Sequence, residues 1–144
     1  MSNIFSKNLV KLILLTLLLT LLSTFLYYKN KKNFIWFNGD YELAKTVAGN
    51  RVIMLEFYAD WWLGCKKLDA ETFSDSNVIN LSQDLVSLKL NVEEEKNLLL
   101  SETFGVNTIP QNIFVKSDGK EIGRIEGFLP PDLFVIELQK ILKN

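Results

Sequence analysis

The 144-residue chain has no histidine and one cysteine, Cys65. It therefore cannot form an internal disulfide, and a transition-metal centre would have to be built from carboxylates alone; metal chemistry is set aside and no cofactor is expected. Residues 1–33 contain five lysines and no acid. The rest carries eleven basic residues against seventeen acids, a net charge of −6 with no basic stripe, which argues against nucleic acid as a partner. No alanine precedes Ala44, so the small-x-small site that ends a cleaved signal peptide is missing after the apolar run near the N-terminus.

That run is LVKLILLTLLLTLLSTFLYY, Leu9 to Tyr28, with one charge, Lys11, near its start. Its length is close to the roughly 20 residues that cross a bilayer as a helix. Tyr27 and Tyr28 stand where an interfacial aromatic belt would lie, and lysines flank both ends. A buried core helix would show a polar face, and this run has none. The expectation is an uncleaved transmembrane anchor over 9–28, with a cleaved signal as the alternative. Residues 1–8 form a short tail and 29–33 a polar tether. The lysine count at the two ends does not decide orientation.

The remainder, 34–144, reads as one domain. FIWF, Phe34 to Phe37, is expected as a short strand. GDYELAKTVAGN is a helix with Asp40 as N-cap, helical spacing at Leu43, Ala44 and Val47, and a stop at Gly49. RVIMLEFYA, Arg51 to Ala59, is a buried strand. WLGCKKLDAETF and SDSNVINLSQ are helical, the second capped by Ser74 or Asp75. LVSLKLNV alternates as a strand, and EEEKNLLLSETFG is a helix closed by Gly105. QNIFVKSDGKEIGRIEGF is a hairpin around Ser-Asp-Gly. PPDLFVIELQKILKN is a last helix whose apolar face is Leu133, Phe134, Ile136, Leu138, Ile141 and Leu142. The order β-α-β-α-β-α-β-β-α predicts an α/β fold with a mixed sheet covered by helices on both faces.

The chemistry concentrates in FYADWWLGCKK, Phe57 to Lys67, where a strand runs into two tryptophans and the lone cysteine. Together with GVNTIPQNIFVKSDGK, Gly105 to Lys120, and Gly127-Phe128 before the last helix, it resembles the thioredoxin family. The likeness is to the C-terminal thioredoxin-like domain of the DsbD group of bacterial thiol:disulfide interchange proteins, over roughly residues 34–144. The resemblance implies a thioredoxin fold, a protein thiol or disulfide as partner, and a place on the bacterial inner membrane with the domain on the extracytoplasmic side. It implies that Trp61 shapes the rim of the site, Cys65 is the resolving thiol, and Glu56 is the buried acid that assists proton transfer. Pro110 matches the cis-proline that, with Ile109 before it, holds an extended substrate segment. Trp62 stands where the family has its nucleophilic cysteine, and an indole cannot attack a disulfide.

Three functions follow from that departure. The chain is a membrane-anchored member of the disulfide-reductase family without normal dithiol activity. Alternatively it is a redox-silent module that binds protein segments between Trp61–Cys65 and Pro110, or a monothiol exchanger through Cys65. Each residue also has a plainer reading. Cys65 serves as a small buried apolar residue, Glu56 leans out to solvent, Pro110 is an ordinary trans proline, and the tryptophans are packing.

Overall fold

The apolar N-terminal run forms one helix, α1 (Ser2–Asn30), in a computed structural model that describes residues 2–30 and 32–143. The chain divides into two units, residues 1–32 and 33–144. Within α1, Lys7–Lys29 is long and apolar enough to cross a membrane. At ~1.5 Å per residue its length exceeds a hydrocarbon core of about 30 Å. Its hydroxyls do not stay unpartnered: Thr16, Thr20, Ser23 and Thr24 each donate to the carbonyl three residues back, at 2.8–2.9 Å. The helix continues through Lys29 and Asn30, which the sequence reading assigns to the tether; Lys31 falls outside the described residues.

The second unit is built from α2 (Tyr41–Ala48), β1 (Ile53–Tyr58), α3 (Leu63–Lys67), a π-helical turn (Leu68–Thr72), α4 (Ser76–Ser82), β2 (Val86–Asn91), α5 (Glu95–Thr103), β3 (Gln111–Val115), β4 (Glu121–Glu126) and α6 (Pro131–Ile141). The sheet runs β2-β1-β3-β4, with β1 and β2 parallel and the other pairs antiparallel. The starts of α2 and α4 are side-chain capped as expected. Asp40 accepts from Leu43 N at 2.8 Å. Of the two candidates for α4, Asp75 is the cap and accepts from Asn77 N and Val78 N.

Alternation along β1 sorts the core into two layers. Ile53, Leu55 and Phe57 face Ala44 and Ala48 of α2, with Leu100 and Phe104 at the edge of the same cluster. Met54 faces Leu68, Phe73, Val78 and the α6 residues Phe134, Leu138 and Ile141. Glu56, two residues on from Met54, points to this second side.

Two expectations are corrected. Phe34–Phe37 is not a strand: it makes one ladder-like bond, Phe37 N to Ser87 O at 2.7 Å, and is held by rings instead. Phe34 and Trp36 stack at 4.5 Å and both lie within 5.2 Å of Phe73. The sheet of the described residues thus has four strands rather than five. On α6, Leu133 and Ile136 are exposed, because the buried stripe is the narrower 134–138–141 spacing. α2 shows the same narrowing, with Ala44 and Ala48 buried while Leu43 and Val47 stay exposed.

Candidate functional site

The site lies where β1 gives way to α3. β1 ends at Tyr58, and the chain turns through Ala59, Asp60 and Trp61, with Trp62 N donating to Ala59 O at 3.2 Å. Trp62 is the N-cap of α3, and its carbonyl accepts from Cys65 N and Lys66 N. An indole has no oxygen to cap with, so Trp62 serves the helix through its backbone alone. Trp61, Trp62 and Leu63 are 62%, 44% and 77% exposed, three consecutive large apolar residues on one turn. The two indoles meet edge to face at 5.6 Å. Trp61 is oriented from outside the turn, its Nε1 donating to Glu93 Oε1 at 2.9 Å.

Pro110 closes the other side. The Ile109–Pro110 bond is cis, as the resemblance implies. The loop is tied to β4: Gly127 N donates to Pro110 O at 2.8 Å, and Gln111 Nε2 to Glu126 Oε1 at 2.9 Å. Gly64 shows how closely the two sides approach. A Cβ there would lie 3.0 Å from Trp62 Nε1 and 3.2 Å from Pro110 Cδ, so the indole folds back over Gly64 beside the proline ring. Pro110 is itself buried and Ile109 half-buried. Gly64→Ala is accordingly expected to displace the Trp62 indole and leave the fold intact. A red-shifted tryptophan emission with the same unfolding midpoint to within about 0.5 kcal/mol is the expected outcome; an unchanged spectrum would mean the indole does not rest there.

Cys65 lies one turn below, 1% exposed and unpaired. Burial pushes its thiol up. The Ala59 backbone hydrogen bond opposes this, the charges of Glu56 and Asp69 add to it, and Lys89 offsets part. Low thiolate fraction and low access both act against nucleophilic attack at this sulfur.

Glu56 is fully buried, and neither carboxylate oxygen has a hydrogen-bond partner among the described residues. Desolvation pushes it up to about 8; Lys89 pulls it down and Asp69 raises it further. Lys89 stands across the parallel register from Glu56, with Nζ 3.8 Å from Glu56 Oε2, beyond hydrogen-bond reach. The ammonium is instead held by both Asp69 oxygens at 2.6 Å. It also lies 4.7 Å from the Tyr58 ring centroid and 5.3 Å from that of Trp36. Burial alone would lower Lys89, but Glu56 and Asp69 outweigh it and raise the ammonium. On the other side of Glu56, in antiparallel register, stands Asn112, fully buried with both amide atoms unpartnered.

Around the turn after β1 the structure places Trp61 against Trp62, Trp62 and Pro110 on either side of Gly64, and Glu56 near enough to act on Cys65, with Ile109 entering through its cis bond to Pro110. It adds Lys89, Asp69 and Asn112, which sequence reasoning missed. A signal for Lys89 exists in LVSLKLNV, where Ser87, Lys89 and Asn91 put three polar residues on one face of a strand with buried neighbours. Asp69 follows Cys65 by one helical turn. No group of three or more metal-ligating side chains occurs among the described residues.

A mixed sheet with helices on both faces, a strand-to-helix turn carrying Cys65, and a cis-proline loop beside that turn define a thioredoxin-like domain. The family model for the thioredoxin-like domain matches residues 39–142, and the chain belongs to that family. Among curated proteins, the thiol:disulfide interchange protein DsbD of Haemophilus influenzae (strain PittGG) is 35% identical over 107 residues, covering 70% of this chain and 18% of that protein. DsbD of Photorhabdus laumondii is 36% identical over 119 residues, 77% of this chain and 20% of that protein. The chain therefore spans about a fifth of the length of these relatives. Among solved structures, a thioredoxin from Thermus thermophilus superposes with a TM-score of 0.67 at 24% identity, over 76% of this chain and 88% of that one. The C-terminal domain of Neisseria meningitidis DsbD in its reduced form gives 0.57 at 23% identity, over 69% and 88%. These structural likenesses bear on the fold.

Proposed function

We propose that this chain is a membrane-anchored thioredoxin-like protein of the thiol:disulfide interchange group that has given up dithiol exchange and acts by holding segments of partner proteins. The observation that carries the reading is Trp62. It stands where the resemblance puts the attacking thiol, stays exposed, and lies over Gly64 beside the cis-proline. Two thiols are needed to reduce a disulfide and release the product, and the chain has one. Adjacent exposed aromatics on a fixed turn are the kind of anchor that dominates protein interfaces.

The Lys7–Lys29 helix supplies the anchor. The likeness to DsbD supports a place on the bacterial inner membrane with the domain in the extracytoplasmic space. The monothiol reading fits less well, because Cys65 is buried and its thiol is raised.

The test uses a reduced and alkylated model protein, unfolded and free of thiols, and reads tryptophan fluorescence of the full chain in non-ionic detergent. Binding is expected, unchanged in Cys65→Ser and weakened about tenfold or more in Trp62→Ala, the loss of one aromatic anchor. Loss of binding in Cys65→Ser, or no binding at all, would contradict the reading.

A further inference from the structure

On the side of Glu93 the exposed apolar turn is bordered by acidic residues. The Trp61–Glu93 hydrogen bond sets the indole beside Glu93, Glu94 and Glu95, the run that opens α5. Asp60 joins the same edge through Asn91, whose Nδ2 donates to Asp60 Oδ2 at 3.3 Å while its Oδ1 accepts from Glu93 N at 2.9 Å. Among the described residues the one ion pair made by these four acids is Glu94 with Lys96, at 2.9 Å. The bases on α3 make no ion pair with this edge among the described residues. Lys67 turns toward Phe128, with Nζ 4.3 Å from the ring centroid, and Lys66 makes no ion pair among the described residues. The outer face of α5 continues the pattern with exposed Leu98 and Leu99.

We propose that this surface docks a basic segment of a partner protein, one in which lysine or arginine is interspersed with apolar side chains. The inference rests on the binding function proposed above and adds the chemistry of what is bound. Apolar side chains would cover Trp61, Trp62 and Leu63, which supplies affinity. Cations would meet Asp60 and Glu93–Glu95, which supplies selectivity and speeds encounter, and the net charge of −6 beyond residue 33 acts in the same direction. An acidic segment would bring like charges together at the same edge and be rejected.

The experiment measures fluorescence anisotropy of two labelled peptides with the full chain in non-ionic detergent. Both are of about 12 residues, one alternating leucine with lysine and the other leucine with glutamate, a span near that of a docked extended segment. The lysine peptide is expected to bind about tenfold or more tightly than the glutamate peptide, and to weaken several-fold between about 50 and 200 mM salt. Glu93→Gln keeps an oxygen acceptor for Trp61 but removes the charge, and is expected to weaken only the lysine peptide. Glu137→Gln, on α6, is expected to leave both unchanged. Equal binding of the two peptides, or indifference of the lysine peptide to Glu93→Gln, would overturn the charge selectivity and leave the binding function standing. Failure of both peptides together with failure of the alkylated model protein would overturn both.

Discussion

Trp62→Cys is expected to confer disulfide-reductase activity by supplying the second thiol that cycling requires. The substitution places a second thiol at the exposed N-cap of α3, three residues before Cys65 and on the turn that faces the cis-proline. A Cys-x-x-Cys pair at a helix start is where thiol pKa values are lowered enough for attack at neutral pH. The new thiolate would open a substrate disulfide, and Cys65 would resolve the mixed disulfide. Two electrons and two protons pass to the substrate, leaving an internal disulfide that dithiothreitol reduces again. In an insulin-reduction assay the variant should exceed the native chain by about a hundredfold or more, since the native chain lacks the two-thiol route altogether. Adding Cys65→Ser should abolish the gain. A variant that forms no internal disulfide would mean that the rest of the site is no longer arranged for exchange.

Removing the titration of Glu56 is expected to reshape the pH dependence of stability. In the unfolded chain this carboxyl ionises near the ordinary value of 4.5, and in the folded chain near 8. Between those values the folded state keeps a proton that the unfolded state has released. The stability contributed by Glu56 is therefore fully present below pH 4.5, falls as pH rises through the window, and is lost above 8. The slope approaches about 1.4 kcal/mol per pH unit where the proton difference is complete. Glu56→Gln resembles the neutral acid in shape and does not ionise. It should match the native chain at pH 5 and exceed it by a few kcal/mol at pH 9. Urea unfolding followed by tryptophan fluorescence at both pH values, in non-ionic detergent, reads the difference. A variant equally destabilised at pH 5 and pH 9 would mean that Glu56 serves as an ion-pair partner of Lys89 rather than as a buried neutral acid.

The sequence carried much of this in readable form. The near-continuous apolar run in RVIMLEFYA and the cap-like residues Asp40 and Ser74 or Asp75 place β1, α2 and α4 from local chemistry alone. The Ser-Asp-Gly turn places the hairpin. The turn residues of the site, Trp61, Trp62 and Cys65, are visible because two tryptophans and the lone cysteine cluster within five positions. Other features are not local. Whether Phe34–Phe37 pairs as a strand depends on what the sequence-distant Phe73 offers it. The burial of Ala44 rather than Leu43 depends on how closely α2 approaches the sheet. The cage around Lys89 joins Trp36, Glu56, Tyr58 and Asp69, whose proximity follows only from strand register and from the π-helical turn bringing Asp69 to β2.

The cage gives the site an internal logic that survives the missing thiol. Asp69 satisfies Lys89 by two short bonds, which leaves Glu56 close to a cation but without a hydrogen bond to it. Burial holds a carboxyl so placed well above the usual carboxylate range, and its charge acts on the buried Cys65. With Cys65 as the one thiol of the chain, that arrangement has no internal disulfide to act on. What the turn presents to a partner is apolar area and an acidic edge.

The most direct measurement is the alkylation rate of Cys65 in the folded chain across pH, set against the unfolded chain. A buried, raised thiol predicts a rate suppressed about a hundredfold or more by folding, with no midpoint below the free-thiol value of about 8.5. A fast rate in the folded chain with a midpoint well below that value would contradict a redox-silent binding domain and make Cys65 an active monothiol.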